Sequence, residues 1–298
     1  MSFFFPDTPD LPLPPGHRFP AGKYRMLRDL IDRDGMLADR GLVASPLAGR
    51  EALLSAHDPA YVESVLAGTL DPAITRRIGL PWSEVLATRS RATVGGAIAS
   101  ARMALQYGLS GQLAGGTHHA HRDFGSGYCV FNDLAVAALT LLGERRVARI
   151  AVLDLDVHQG DGNAAILGGH AGVLVVSVHG ENNFPFRKVA SSLDIGLPDG
   201  AGDRDYLAAL PRALGALETF RPDLLLYLSG ADPLASDKLG RLKLTFEGLA
   251  ARDRAVFELC RRRAWPVAIA IGGGYADPIS DSVTAYANTF RIARDVLG

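Results

Sequence analysis

The chain has 298 residues, and its 48% content of hydrophobic residues is enough to close one large core. Its 31 lysines and arginines balance 32 aspartates and glutamates, which excludes the basic footprint of a nucleic-acid-binding protein and favours a small or uncharged partner. We therefore expect a single domain over residues 1–298.

The N-terminal segment MSFFFPDTPDLPLPPG starts with an apolar run, but it lacks the basic residues of a signal peptide and prolines interrupt it. No apolar run in the sequence reaches the length of about 18 residues that suggests a membrane span. The two cysteines, Cys129 and Cys260, are too few for a disulfide framework and suit a reducing compartment. The sequence predicts a soluble, cytoplasmic protein without a membrane partner.

Residues 23–110 have a mainly helical pattern. Three segments carry it, KYRMLRDLIDRDG, HDPAYVESVLAG with its Asp-Pro start, and WSEVLATRSRATVGGAIASARMALQYG. This part of the chain is expected to supply one layer of helices, and the proline-rich segment before it is expected to form a loop.

From Gly111 onward, short apolar runs alternate with helical segments. The predicted strands are QLAG, ARIAVLDLD, GVLVVSVHG, DLLLYLSG and PVAIAIGGGY. The predicted helices are NDLAVAALTLLGE, a short one near GNAAILGG, DRDYLAALPRALGALETF, TFEGLAARDRAVFELCRRR and a last one that ends at Leu297. Such alternation implies βαβ crossovers and hence an α/β fold with a parallel sheet.

Chemically unusual residues follow the predicted strands. The segments concerned are GTHHAHRDFGSGYC, DLDVHQGDG, SVHGENNFPF, ADPLASDKLG and GGGYAD. In an open parallel sheet, the ligand site lies beyond the carboxyl ends of the strands, where loops from several strands converge. We therefore expect these segments to meet in one cleft.

Three residues in these segments have the character of metal ligands. Asp156 and His158 are two apart, so on an extended segment they project to the same side. Asp232 is a further strand-end acid that can supply the third ligand of a catalytic site of the zinc type, which keeps one position open for water. Each acid alone is more simply explained by helix capping or by an arginine partner, and only their convergence favours a metal.

The adjacent histidines His118 and His119 can serve different neighbours on an irregular loop. If both point into the cleft, they can act as a general acid and base, each oriented by a buried carboxylate, and Asp154 and Asp161 are the available acids. A lone histidine in such a place is more often a hydrogen-bonded core residue. We assign that simpler explanation to His121.

The three consecutive glycines before Tyr275 allow a close backbone approach and positive φ, which would aim the tyrosine into the cleft. A phenol hydroxyl there can donate to an oxyanion. The same glycines are compatible with a phosphate-binding loop, but no GxGxxG or GxxxxGK(S/T) motif accompanies them, so a nucleotide site is disfavoured.

The ordered segments GGTHHA, GSGYCVFND, VLDLDVHQGDG, SGADPLASDKLGRLKLT and IGGGY together resemble the zinc-dependent histone deacetylase superfamily. The resemblance runs from about Gly115 to the end of the chain, and HRFPAGKY and HDPAYV are similar to earlier segments of that family. The segments IGLPWSEVLATRSRATVGGAI and ENNFPF, together with Gln159, are most similar to the class IV branch and its bacterial relatives.

The resemblance implies a role for each matching position. It makes Asp156, His158 and Asp232 the ligands of a zinc or iron(II) ion, and it makes His119 the general base and acid with His118 as its electrostatic partner. It makes Asp154 and Asp161 the acids that orient the histidines, and Tyr275 the residue that binds the substrate carbonyl. The substrate tunnel is matched by Gly127, Tyr128 and Leu239, and a structural potassium ion by Asp154, Asp156, His158, Ser177 and Val178.

The implied fold is the arginase/deacetylase-like open α/β fold, a mostly parallel sheet of about eight strands with helices on both faces. The implied activity is the removal of an acyl group from an acyl-lysine protein or peptide, or from a small acylated amine, by metal-activated water. The alternatives are an acetylpolyamine amidohydrolase, a ureohydrolase with two metal ions, and a non-catalytic module that binds acyl-lysine. Neither the preferred acyl length nor the oligomeric state follows from the sequence.

Overall fold

The computed structural model describes residues 2–36 and 41–298. The strands are β1 Phe3–Phe5, β2 Leu42–Ala44, β3 Leu109–Gln112, β4 Ile150–Asp154, β5 Val173–Gly180, β6 Leu193–Leu197, β7 Leu224–Gly230 and β8 Val267–Gly272. The helices are α1 Lys23–Arg33, α2 Arg50–Leu54, α3 Pro59–Ala67, α4 Pro72–Ile78, α5 Glu84–Tyr107, α6 Asp133–Gly143, α7 Asp161–Leu167, α8 Asp203–Phe220, α9 Phe246–Arg263 and α10 Ile279–Leu297.

The eight strands form one sheet in the order β2-β1-β3-β8-β7-β4-β5-β6, and every pair of neighbours is parallel. The central strands β4 and β7 pair in register from Ile150 opposite Leu224 to Asp154 opposite Leu228. All carboxyl ends therefore lie at the same edge of the sheet. The predicted α/β fold with a parallel sheet of about eight strands is confirmed.

Helices cover both faces of the sheet, because the strand side chains alternate between two apolar clusters. In β4, Ala151 and Leu153 belong to the cluster formed with α1, α8, α9 and α10. Ile150 and Val152 belong to the cluster formed with α3, α5 and α6. A strand that is buried on both faces reads as a continuous apolar run, which is why β4, β5, β7 and β8 could be recognised in the sequence.

The N-terminal prediction was wrong at one place. Phe3–Phe5 is a strand and not a loop, since it pairs with both β2 and β3 and its three phenylalanines are buried. The predicted strand QLAG also begins too late, because β3 covers Leu109–Gln112. Strands β2 and β6 and helices α2 and α4 were not predicted, although Pro72 at the first turn and Gly79 in a left-handed conformation at the end are ordinary boundary signals for α4.

Both cysteines, Cys129 and Cys260, are free and buried. In the described ranges, none of the helices has the length and apolar character needed to cross a membrane. The sheet takes strands from Phe3 to Gly272, and the single-domain boundary of residues 1–298 stays a prediction.

Candidate active site

The carboxyl ends of β4 and β7 bring Asp156, His158 and Asp232 together. His158 Nδ1 lies 3.0 Å from Asp156 Oδ1 and 3.1 Å from Asp232 Oδ2. One candidate ligand atom from each of the three residues lies within 4.8 Å of the other two. The two residues of the DLDVH segment and the acid after β7 therefore form one buried cluster, as their positions at the strand ends suggested.

The chemistry of this cluster fits a divalent metal ion. Asp156 Oδ2 is buried and has no hydrogen-bond partner in the described part of the chain, so it is an oxygen that lacks a positive group. Burial disfavours a charged His158 imidazole, but hydrogen bonds to the two carboxylates outweigh burial and raise its pKa to about 10. Two carboxylates and one imidazole in a water-poor place thus attract positive charge, and oxygen and nitrogen donors of this kind suit zinc or iron(II).

Each of the two adjacent histidines contacts its own acid. His118 Nδ1 lies 2.8 Å from Asp154 Oδ2, and His119 Nδ1 lies 2.6 Å from Asp161 Oδ1. A carboxylate only accepts hydrogen bonds, so in both rings Nδ1–H is the donor, and Nε2 is free to accept a proton only in a ring that is neutral. The two rings lie side by side, with their centroids 4.1 Å apart.

Unequal surroundings give the two histidines different protonation. Burial disfavours the His118 cation, but the nearby carboxylates of Asp154 and Asp156 outweigh burial and raise the pKa of His118 to about 9. For His119, burial and the charge on His118 act together and lower its pKa to about 3. A neutral imidazole therefore stands beside a charged one, an arrangement that separates a base from an electrostatic partner.

His121 is hydrogen-bonded, as the simpler explanation required, but its partner belongs to the site. Its Nε2 lies 2.9 Å from Asp161 Oδ2, so the acid that contacts His119 also contacts His121. Burial opposes ionisation of Asp161, but hydrogen bonds from both histidines outweigh burial and lower its pKa. The sequence offered no signal for this pairing, because His121 lies on an irregular loop whose path depends on contacts far along the chain.

The loop after β8 holds Tyr275 over the cleft. Gly273 and Gly274 have φ of +63° and +79°, which explains the consecutive glycines. Asp237 accepts a hydrogen bond from the Tyr275 backbone N–H at 2.6 Å. Burial raises the pKa of the Tyr275 phenol well above its ordinary value, so the hydroxyl stays protonated and able to donate.

Lys23 is a contributor to this loop that the sequence reasoning missed. It is buried at the start of α1, and its Nζ donates to the backbone carbonyls of Gly273 and of Gly274, the latter at 2.9 Å. The same ammonium lies 4.7 Å from the centroid of the Tyr275 ring. A lysine in the segment HRFPAGKY gave no sign that it would turn inward.

The cluster opens into a cavity of about 720 Å³. The predicted tunnel residues Gly127, Tyr128 and Leu239 line it together with Phe184. The Phe184 ring lies 4.9 Å from the His119 ring, and the Tyr128 ring lies 5.9 Å from the Tyr275 ring. A cavity with aromatic walls and polar groups at its base suits an extended apolar chain that ends in a reactive group.

Residues that the resemblance links to potassium lie beside the same strand end. Asp154 is opposite Ser177 in the β4–β5 register, and Ser177 Oγ lies 2.9 Å from His179 Nδ1. Val178 is the next residue of β5 and is buried. Ser177 and Val178 of β5 thus lie next to Asp154, the residue that contacts His118.

Asp133 holds the loop that carries the two histidines and is another residue that the sequence reasoning missed. Its carboxylate accepts from the N–H groups of Gly116 and Thr117 at 3.1 and 2.8 Å, and from the Gln112 amide at 3.1 Å. In the segment GYCVFND, Asp133 looks like the first residue of a helix, and it does begin α6, with Asn132 as the cap. Its second role depends on a contact between segments that are distant in sequence.

The amino-acid sequence is similar to those of known histone deacetylases and related proteins. The sequence profile described as histone deacetylase domain matches residues 17–290. An uncharacterized protein of Picosynechococcus is 44% identical over 286 residues, which cover 96% of this chain and 95% of that protein. The histone deacetylase-like amidohydrolase of Pseudomonas aeruginosa is 32% identical, and the match covers 89% of this chain and 74% of that protein. Histone deacetylase 2 of Arabidopsis thaliana is 28% identical, and the match covers 90% of this chain and 73% of that protein.

Proposed function

Because the chain belongs to the histone deacetylase family, we propose that it is a metal-dependent deacylase that hydrolyses an acyl-lysine-type amide. One observation carries the proposal. The donors Asp156 and His158, a neutral histidine with its own acid, and a protonated tyrosine line one cavity, and the third donor, Asp232, lies beside the first two. A hydrolase needs the donors, the histidine and the tyrosine, whereas a protein that only binds acyl-lysine has no use for the base.

Asp156, His158 and Asp232 are the residues that would hold the metal, which we take to be zinc or iron(II). Bound there, the ion would act as a Lewis acid that polarises the substrate carbonyl and lowers the pKa of the attacking water. The unpartnered oxygen of Asp156 supports this assignment.

His119 is the residue to which we assign proton transfer. Its Nδ1–H donates to Asp161, which leaves Nε2 to accept the proton of the attacking water. The bond from the carbonyl carbon to the water oxygen forms first and gives a tetrahedral intermediate, and the amide C–N bond then breaks as the same proton goes to the departing amine nitrogen. The products are a carboxylate and a free amine.

Tyr275 donates its hydroxyl hydrogen bond to the oxygen of the tetrahedral intermediate. Its raised pKa supports this role, because a deprotonated phenol could not donate. His118, whose pKa is raised, adds a positive charge next to His119 and is itself oriented by Asp154.

We also assign a potassium ion to the group beside the β4 end. Its ligands would be the Asp154 carboxylate, the Ser177 hydroxyl and backbone oxygens of Asp156, His158 and Val178. The β4–β5 register that places Asp154 opposite Ser177 supports this assignment. The ion would fix the strand end that carries two of the proposed metal ligands.

Within the family, we place the chain nearest the class IV branch. The support is the resemblance at IGLPWSEVLATRSRATVGGAI, ENNFPF and Gln159. The Gln159 side-chain amide donates to Val189 O at 2.8 Å and to Asp194 Oδ1 at 2.7 Å. The residue therefore connects the segment after β4 to β6 and to the segment that precedes β6.

The substrate we favour is an acyl-lysine in a protein or peptide. The cavity lining includes the exposed arginines Arg77, Arg187 and Arg241, and a cationic rim repels a polyamine more than a neutral or acidic peptide. An acetylpolyamine is the second candidate, since its amide would undergo the same chemistry.

A panel of acetyl-lysine peptide, longer-acyl-lysine peptides and an acetylpolyamine, each given to metal-loaded protein, tests the substrate. We expect acyl-lysine peptides to be hydrolysed with the higher kcat/KM. Arg187→Glu should reduce the preference for the acetyl-lysine peptide over the acetylpolyamine, and Arg204→Glu, at an exposed arginine on α8, is the matched control. A higher kcat/KM for the acetylpolyamine would reverse the assignment of substrate, and two bound metal ions per chain would indicate a ureohydrolase.

A further inference from the structure

Arg252 is a buried cation in the middle of α9. Its side chain is 1% exposed, and a charge in such a place requires partners, because an unpaired one is strongly destabilising. Its Nε donates to Asp253 Oδ1 at 2.8 Å, which balances the charge. The pair faces the sheet and contacts none of the substrate-cavity residues named above, so the proposed mechanism does not use it.

The outer nitrogens of the guanidinium reach the ends of two strands. Arg252 Nη1 donates to Leu155 O at 3.2 Å and to Gly230 O at 2.7 Å. Arg252 Nη2 donates to Ser229 Oγ at 2.9 Å. Leu155 directly precedes Asp156, and Gly230 lies two residues before Asp232. One planar group thus connects the backbone segments that lead to both acids.

The two segments are also packed tightly against each other. A Cβ on Gly230 would lie 2.4 Å from Asp156 Cα, so the backbones are in direct contact. The Val157 N–H donates to Asp232 Oδ1 at 2.9 Å. A small shift of one strand end would therefore change the distance between the carboxylates.

Further hydrogen bonds prevent Arg252 from adopting other positions. Asp253 accepts from the Tyr227 hydroxyl and, at 2.6 Å, from Thr289 Oγ1. Thr289 in turn contacts Ser229 Oγ at 2.9 Å. The guanidinium is held by Leu155 after β4 and by residues of β7 and α9, and Thr289 of α10 contacts two of these partners. A planar group held at several points is rigid.

We propose that Arg252 is a positioning residue that sets the separation between the metal donors Asp156 and Asp232. The inference rests on the proposed function, since it takes these acids to be metal ligands. Residues that orient metal ligands affect metal affinity without contacting the metal, and losing one typically weakens affinity or activity by about 10- to 100-fold.

The test is the affinity of the metal-free chain for Zn²⁺, measured by competition with a fluorescent chelator. Arg252→Lys keeps a cation beside Asp253, but a lysine cannot reproduce the planar contacts to both carbonyls. We expect Zn²⁺ affinity about 10- to 100-fold weaker than in the unaltered chain, and a changed visible spectrum of the Co²⁺-loaded protein. Arg254→Lys, at an exposed arginine of the same helix, should leave both unchanged.

A second variant covers the case in which Arg252→Lys fails to fold. Arg252→Met combined with Asp253→Asn removes both charges, and the asparagine keeps an acceptor oxygen for Tyr227 while its amide nitrogen can donate to Thr289 Oγ1. Replacing a buried ion pair in this way is often tolerated. Leu259→Ala, a buried position in α9, controls for lost stability alone. Affinity within twofold of the unaltered chain in a folded Arg252 variant would overturn the inference. The proposed function fails separately, if the unaltered chain binds Zn²⁺ but releases no acyl group.

Discussion

A Cβ added to Gly273 would lie 2.0 Å from Asp232 Oδ2, so the loop that carries Tyr275 lies directly against a proposed metal ligand. Contacts below 3.0 Å are not tolerated by real Cβ atoms, and neither the carboxylate nor the loop can move without disturbing the other. A glycine at position 273, two residues before the tyrosine, is therefore required by the neighbouring strand end as well as by its own positive φ.

Gly273→Ala should abolish tight metal binding, because the new methyl group would displace the Asp232 carboxylate. Gly200→Ala is the matched control, since Gly200 has φ of +80° but a Cβ at this position would meet no atom within 4 Å. Both variants carry the same kind of backbone strain, worth about 1 kcal/mol. Metal content measured by elemental analysis should fall only in Gly273→Ala, and equal content in the two variants would contradict the account.

Tyr275→Phe should lower kcat by about 10²- to 10³-fold, because it removes one donor to the oxyanion. Metal content should not change, since the hydroxyl is not among the proposed ligands. Steady-state kinetics with an acyl-lysine peptide and a parallel metal measurement make the check. A variant with unaltered kcat would remove the tyrosine from the mechanism.

Asp161→Asn should lower kcat by about 10²- to 10⁴-fold. The asparagine amide can donate to His119 Nδ1 and so stabilise the tautomer that lacks a free Nε2. His121→Asn provides the comparison, because it removes the other contact to Asp161 and leaves the 2.6 Å contact with His119 in place. If the tautomer of His119 matters, kcat falls clearly more in Asp161→Asn than in His121→Asn, and equal losses would contradict this role of Asp161.

His57 should make stability depend on pH. Burial lowers its pKa to about 4 from the ordinary 6.5, so between these values only the unfolded chain takes up the proton. The contribution of His57 to stability is therefore fully present above pH 6.5. It decreases by about 1.4 kcal/mol per pH unit as the pH falls from 6.5 towards 4. The free energy of unfolding, measured with urea at pH 7 and at pH 5, should decrease between these pH values in both proteins. The decrease should be about 2 kcal/mol smaller in His57→Gln than in the unaltered chain. The same pH dependence in both proteins would refute the prediction.

The sequence predicted those parts of the fold that have a local pattern. The apolar runs of β4, β5, β7 and β8 are buried on both faces, and the acids that follow them stand out against the apolar background. Strand β1 was missed because three phenylalanines between the first residues and a proline carry no periodicity, and its stability comes from pairing with residues about 40 and 110 positions away.

The residues that support the site were missed for a related reason. Lys23 lies on α1 and Arg252 on α9, at positions where a charged residue is usually solvent-exposed. Each is buried because its donors meet backbone carbonyls of distant segments, Gly274 in the loop after β8 for Lys23 and Gly230 at the end of β7 for Arg252. Helical periodicity gives the side of a helix that packs, but it does not indicate which carbonyls lie opposite.

Zinc titration of the metal-free chain, followed by acetyl-lysine peptide hydrolysis, tests the central claim most directly. The account predicts no hydrolysis without metal, a linear rise with added Zn²⁺, and saturation at one ion per chain, with Asp232→Asn inactive throughout. Hydrolysis that persists in the metal-free chain, or peptide binding without hydrolysis in the zinc-loaded chain, would contradict it.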